Sequence, residues 1–264
     1  MSSIEEYQES FINFQPELKS FIYRLVTNHQ DTEDIAQDVF IKAFKSIDQF
    51  EGRSSFKTWV FSIASNKAKD HLRSQKRWKE DYQDNCRIAT YNSPELQQKM
   101  AEITTTSPHG KYVISEHIDF CFTCMSKTLL LEEQVCIMLK EVYQFKIREI
   151  MEISGLSEGK VKHALANARN RYHKIFNERC ALINKQGACH QCTELNGLLN
   201  PTHEAEKALV GIKMVKEKER ADYEKLLDLR FELARNFDPL DGEGFDIHNY
   251  MLETLPEHEK APEL

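Results

Sequence analysis

Residues 145–165 read FKIREIMEISGLSEGKVKHAL, which is the pattern of two helices joined by a tight turn. Gly155 can adopt the left-handed backbone conformation in which many helices end. Ser157 is suited to cap a second helix, which would bury Val161 and Leu165 on its inner side. The stretch predicts a helix-turn-helix. On the turn alone, an ordinary helical hairpin with a solvated charged face is the alternative.

The second helix of this pair is basic. Residues 158–174 contain five Lys and Arg side chains and one acid, which favours the helix-turn-helix because a basic helix can enter the major groove of DNA. Its first outward residues would meet base edges, and the later Arg and Lys would meet phosphates. The residues expected to contact DNA are Ser157, Lys160, Lys162, His163, Asn167, Arg169 and Arg171.

The rest of the chain also favours helices. Gly and Pro number only 9 and 7 among 264 residues, which argues against a turn-rich sandwich or barrel. The prediction is an all-α fold with two small helical domains and an extension. Its segments are an amino-terminal helical bundle at 1–80, a linker at 81–116, the helix-turn-helix domain at 117–178, and a Cys-containing loop with a long acidic helical extension at 179–264.

The net charge of −7 hides an uneven distribution of charge. Residues 193–264 contain 17 acids and 9 bases, a net of −8, which leaves 26 bases and 25 acids in 1–192, a net of +1. The acidity therefore belongs to the extension, and basic clusters upstream can still bind nucleic acid. We expect one long charged helix at Thr202–Phe237. It is either a solvated helix packed by one apolar stripe or a lid over the basic recognition helix.

A second basic cluster lies at 65–79, which contains six Lys and Arg side chains and only one acid. Phe56, Trp59 and Phe61 lie just upstream, after the polar loop at 51–55. Cations beside aromatic rings and a polar loop could hold single-stranded DNA and accept an unstacked base. For Trp59 itself, burial in the core is the competing interpretation.

Two stretches of the amino-terminal half resemble bacterial RNA polymerase sigma factors. DTEDIAQDVF at 31–40 begins with a capping residue and first-turn acids, which predicts that Asp31 opens a helix. The same stretch is similar to the acidic AED-x-x-Q-E-V-F helix of that family. FEGRSSFKTWVFSIASNKAKDHLR at 50–73 is similar to its F-x-x-x-S-x-F-x-T-W-L-x-x-I-A-x-N-x-x-x-D-x-x-R run. With the helix-turn-helix in the expected place and no central domain, residues 10–178 resemble the small extracytoplasmic-function group.

The resemblance implies a transcription initiation factor that binds core RNA polymerase and promoter DNA. The acidic helix would dock on the polymerase through Asp34, Gln37, Asp38 and Phe40. The helix-turn-helix would read the minus-thirty-five element as duplex. The loop and basic helix would capture a flipped base of the minus-ten element and hold the separated strand, through Glu51, Arg53, Ser54, Ser55, Trp59, Asn66, Lys67, Lys69, Arg73 and Arg77.

Three positions of the helix-turn-helix depart from the family pattern. Met151 stands where a small Ala is usual, which can alter the packing angle of the recognition helix. Lys160 and His163 stand where Thr and Arg are common, so the DNA sequence that the family reads does not carry over.

Other features bear on partners and location. The resemblance implies contacts with the largest and second-largest polymerase subunits. It also allows an inhibitor protein as a further partner. No nucleotide-binding loop or catalytic constellation is recognisable, so a binding protein is expected rather than an enzyme. The polar amino end and the lack of a long apolar run predict a cytoplasmic protein with no membrane contact. The alternatives are a conventional helix-turn-helix regulator that binds duplex DNA without polymerase and a zinc- or thiol-dependent adaptor.

Two Cys-x-x-Cys pairs flank the helix-turn-helix, Cys121 with Cys124 and Cys189 with Cys192. Four thiolates suit a tetrahedral structural zinc ion, and Cys180, His190 and His117 are alternate ligands. Buried structural thiols and a thiol redox switch are the other interpretations. The run from Cys180 to Cys192 is similar to one found in some sigma factors with carboxyl-terminal extensions, which does not say what it does.

Overall fold

The computed structural model describes residues 4–73, 75, 77–79, 82–109, 114–180 and 223–258. In these ranges the regular elements are helical, which confirms the all-α prediction. The helices are α1 (Ile4–Val26), α2 (His29–Lys45), α3 (Phe56–Leu72), α4 (Tyr82–Asn92), α5 (Pro94–Thr106), α6 (Ile114–Ser126), α7 (Leu131–Ile137), α8 (Ile147–Ser154), α9 (Glu158–Arg179), α10 (Tyr223–Asn236) and α11 (Phe245–His258). A 3-10 turn at Ile47–Gln49 and a π turn at Met138–Val142 complete the set.

The described residues form two compact units that interleave along the chain. The first contains those of 1–76 and 129–168, and the second contains those of 77–128 and 169–264. The segments expected from the sequence are consecutive, whereas these units are not, and α9 contributes residues to both. The division of function among the expected segments stays a prediction.

The first unit is organised by α1, α2 and α3, which pack on one another around aromatic side chains. Phe21 and Phe61 are fully buried with ring centroids 5.3 Å apart, and Phe14 lies 6.3 Å from Phe61. Helix α8 packs on α3 through the buried side chains of Ile150 and Ile153. This packing sets the loop before α3 beside the first helix of the helix-turn-helix.

Helix α2 begins earlier than its acidic motif suggests. The sequence predicts Asp31 as the opening residue, but the helix starts at His29 and its cap is Asn28. The Asn28 side chain accepts a hydrogen bond from the Asp31 N–H at 2.9 Å, so Asp31 lies in the first turn. The acid is still favourable there, because the start of a helix carries partial positive charge.

The second unit contains α4, α5, α6, α10 and α11 with the later part of α9. Helices α6 and α10 pack closely, and α11 packs on α4 and α5. Phe122 of α6 is stacked on Tyr172 of α9 at 4.8 Å and meets the edge of Phe231 of α10 at 5.4 Å. Helix α5 lies within the expected linker, where Ser93 caps it by accepting from the Leu96 N–H at 3.3 Å. Among the described helices, none is long and apolar enough to cross a membrane.

Candidate nucleic-acid interface

The predicted base-capture loop forms one wall of an open cavity in the first unit. Gly52 turns this loop with a φ of +69°. Trp59 is half-buried, and its ring lies 5.2 Å from that of Phe50 and 5.9 Å from that of Phe56, so it both packs on the core and faces the cavity. The cavity has a volume of about 420 Å³ and is lined by Gln49, Phe50, Glu51, Arg53, Ser54, Trp59, Arg148 and Glu152. Aromatic and polar walls of this kind suit an unstacked base.

Helix α8 contacts the same surface of α3. Thr58 Oγ1 donates a long hydrogen bond of 3.4 Å to Glu149 Oε1. Lys69 Nζ donates to the backbone carbonyl of Ser154 at 3.2 Å, and burial lowers the pKa of Lys69 below its ordinary value. In this structure, the predicted strand-binding surface is therefore in contact with the first helix of the helix-turn-helix.

The other predicted strand-binding residues are divided between the two units of the structure. Trp59, Asn66 and Arg73 are spaced by seven residues on one face of α3, and Asn66 and Arg73 are exposed. Lys67 Nζ pairs with Asp38 Oδ2 at 2.7 Å. Arg77 belongs to the second unit instead, where it donates to the carbonyl of Ser126 at 2.9 Å and burial lowers its pKa to about 10.

The four residues predicted to dock on the polymerase are all exposed on α2, namely Asp34, Gln37, Asp38 and Phe40. Phe40 keeps 41% of its surface exposed, although its ring lies 4.7 Å from Phe44 and 5.2 Å from Phe11. Ile41 is exposed to the same extent, and sequence reasoning missed it. An exposed apolar side chain ringed by polar groups has the composition of a protein interface.

The turn between α8 and α9 has the left-handed glycine that the sequence predicts. Gly155 ends α8 with a φ of +75°, and its N–H donates to the Met151 carbonyl at 2.9 Å. Helix α9 follows at Glu158, with Val161 and Ala168 buried. Leu165, which the sequence predicts on the buried side, is only half-buried.

The predicted DNA-reading side chains differ in exposure along α9. Lys160, Lys162 and His163 are exposed near its start. Asn167, Arg169 and Arg171 are only partly exposed. The early part of α9 is thus the more accessible part of the recognition helix.

The sequence family described as sigma-70 region 2 matches residues 11–78 of the chain. The ECF RNA polymerase sigma factor SigX of Bacillus subtilis is 25% identical over 182 residues, which cover 69% of this chain and 87% of that protein. The RNA polymerase sigma-H factor of Pseudomonas aeruginosa is 41% identical over 61 residues, which cover 23% of this chain and 32% of that protein. The chain is a homologue of the extracytoplasmic-function sigma factors.

Among solved structures, this homologue is similar to the sigma factor RpoE in complex with the anti-sigma factor NepR from Bartonella quintana. The two share 24% identity with a TM-score of 0.45, over 65% of this chain and 97% of that one.

The sigma-70 region 2 domain spans two of the surfaces described above. Residues 11–78 include the exposed face of α2 and the part of the cavity wall from Gln49 to Trp59. The other wall residues, Arg148 and Glu152, come from outside this domain. Sequence reasoning missed both, because α8 lies about ninety residues further along the chain and only tertiary packing brings it there.

Only some of the predicted zinc ligands of this sigma factor homologue are among the residues that the structure describes. Cys121 is half-buried and Cys124 is buried on α6. Cys189, His190 and Cys192 lie outside the described residues. Within the described ranges, no group of three or more His, Cys, Asp and Glu side chains could hold a metal ion. The metal, redox and structural interpretations of these thiols stay predictions.

Proposed function

We propose that this chain is a transcription initiation factor that binds core RNA polymerase, directs it to specific promoters and stabilises the melted minus-ten strand. It acts by binding and not as an enzyme. The observation that carries the proposal is that one sigma-70 region 2 domain contains both an exposed acidic face and the part of a cavity wall that includes Phe50 and Trp59. The curated relatives are themselves called RNA polymerase sigma factors, which supports the same function here.

Each surface has a role in this proposal. Asp34, Gln37, Asp38 and Phe40 dock on the polymerase. The cavity beside Trp59 takes one flipped base, and the cations of α3 hold the strand that leaves the duplex. The exposed start of α9 reads the minus-thirty-five duplex. Trapping unstacked bases stabilises the open promoter without any chemical step by this chain.

The direct test is reconstitution of promoter-dependent initiation with purified core polymerase. Charge reversal by Asp34→Lys with Asp38→Lys should abolish binding to the polymerase. Asp38 also pairs with Lys67, so the single change Asp34→Lys is included to separate docking from that pair. Glu9→Lys with Asp48→Lys is the matched control, because both residues are exposed and lie outside α2. Loss of binding in the control as well would show that only net charge matters.

A second pair of variants tests promoter choice. Lys160→Ala with His163→Ala should weaken discrimination between promoters while leaving polymerase binding intact, since both side chains are exposed near the start of α9. A chain that binds duplex DNA but never associates with the polymerase would instead be a conventional helix-turn-helix regulator. Bound metal with no salt-dependent DNA binding would instead identify an adaptor protein.

A further inference from the structure

The acidic helix α10 is ion-paired with the basic helix α9 inside the second unit. Arg169 Nη2 donates to Asp228 Oδ1 at 2.6 Å and to Glu224 Oε2 at 3.0 Å. His173 Nε2, one helical turn further along α9, lies 2.7 Å from Glu224 Oε1. These contacts leave 25% of the Arg169 side chain exposed. The hydrogen bond from Arg169 holds the pKa of Glu224 below its ordinary value.

An apolar contact lies beneath these ion pairs. Leu227, Phe231 and Ala234 of α10 are fully buried. The guanidinium of Arg169 lies 5.3 Å from the centre of the Phe231 ring, so the arginine is held between the acids and an aromatic face. Helix α10 is therefore packed on the second unit as well as paired with α9. The packed-helix and lid interpretations of the acidic extension are compatible in this part of the chain.

Carboxylates and phosphates present similar targets to an arginine. Both accept hydrogen bonds from the guanidinium in the same planar geometry, so the acids of α10 and a DNA phosphate compete for Arg169. Arg169 is among the residues expected to meet DNA phosphates, whereas Lys160, Lys162 and His163 at the start of α9 are exposed. The acids of α10 therefore contact a part of α9 that is predicted to meet phosphates, and not the residues that are predicted to read bases.

We infer that α10 is an autoinhibitory lid whose carboxylates take the place of DNA phosphates on Arg169 and His173. The inference rests on the proposed DNA-binding role of α9. The lid lowers affinity for any duplex and leaves unchanged which sequence is preferred, because phosphate contacts position the protein and base contacts specify the site. DNA and α10 compete for the same two side chains, so duplex binding displaces the α10 acids.

The test uses the full chain and the double variant Glu224→Gln with Asp228→Asn, which removes the charges but keeps the buried Phe231. The matched control is Glu232→Gln with Asp241→Asn, which removes the same charge from exposed positions of the extension. The probe is a duplex of arbitrary sequence and about three helical turns, titrated by fluorescence anisotropy at several salt concentrations. The double variant should bind about fivefold more tightly at low salt, as expected when two or three exposed ion pairs are lost.

The salt dependence gives a second readout. The slope of log affinity against log salt should steepen by about 0.9 for each phosphate contact regained. Equal affinity and slope for wild type and double variant would overturn the lid, and so would an equal gain in the control. Hydrogen exchange adds a measurement without any substitution: the amides of α10 should exchange faster when duplex is added to the wild-type chain, and unchanged exchange would contradict displacement.

These outcomes separate the lid from the proposed function. Promoter-dependent initiation with unchanged duplex affinity in the double variant would remove the lid alone. Tighter duplex binding by the double variant without any initiation would remove the proposed function and keep the lid. If no form of the chain binds duplex even at low salt, α9 is not a DNA-binding helix and both fail.

Discussion

Two buried histidines should make the stability of the second unit depend on pH. His117 of α6 and His248 of α11 are both buried, and Nδ1 of the first lies 3.3 Å from Nε2 of the second. The His248 ring is stacked on Phe120 at 4.7 Å. Burial lowers the pKa of His117 to about 3, and burial together with His117 lowers the pKa of His248 well below its ordinary value. Both imidazoles are therefore neutral in the folded protein at neutral pH.

The direction of the effect follows from these depressed pKa values. An unfolded chain takes up these protons near pH 6.5, whereas the folded chain does not, so the histidine contribution to stability is complete above that pH. It is lost as the pH falls from about 6.5 towards about 3. At pH near 5, His117 should have reduced the free energy of unfolding by about 2 kcal/mol, and His248 adds a loss in the same direction.

Tryptophan fluorescence can isolate this effect in the second unit. The chain has two tryptophans, and Trp59→Phe leaves Trp78 of the second unit as the only reporter. Urea unfolding in this background, at neutral pH and at pH near 5, gives the change in unfolding free energy. Replacing both histidines by Phe keeps an aromatic ring at each site and should flatten the pH dependence between these two values.

A matched control and a refuting result complete the experiment. His163 of α9 is exposed, so His163→Ala should leave the pH dependence unchanged. If the double histidine variant lost as much stability on acidification as wild type, the imidazoles would not be responsible for the pH dependence.

Three further predictions concern single side chains. Phe231→Ala should weaken the docking of α10 by about 3–5 kcal/mol, because the ring is fully buried, and limited proteolysis should then cut within α10. Gly155→Ala should lower the free energy of unfolding by about 1 kcal/mol through its positive φ, whereas Gly159→Ala, in open space on α9, should raise it slightly. Asn28→Ala should cost about 1 kcal/mol by removing the α2 cap, measurable by urea unfolding of the first unit; no change would show that Asp31 replaces it.

Local features of the fold were predictable because they depend on neighbouring residues. The turn between α8 and α9 needs a left-handed residue, and Gly155 meets that need without a Cβ clash. The start of α2 was misplaced because Asn28 and Asp31 are both good capping residues three positions apart. Sequence alone does not decide between two such caps, whereas the hydrogen bond from the Asp31 N–H to Asn28 does.

Features that join distant parts of the chain were not predictable in the same way. Residues 82–92 lack clear apolar periodicity, yet they form α4, which packs on α11 from the far end of the sequence. Tertiary packing can stabilise helices whose own sequence is a weak signal. The net charge of the extension suggested that it could cover α9. It did not predict the pairing of Arg169 with Glu224 and Asp228, because the packing of Phe231 sets the position of α10.

Two surfaces assigned to DNA by the proposed function are each in contact with another helix of the same unit. In the first unit, α8 contributes Arg148 and Glu152 to the cavity wall and receives the Lys69 side chain. In the second unit, α10 holds Arg169. A ligand can shift the balance between closed and open contacts only by the difference between its binding free energies for the two states. In the proposed function, promoter DNA itself, or polymerase contacts with α8 and α10, supplies the free energy that opens these contacts.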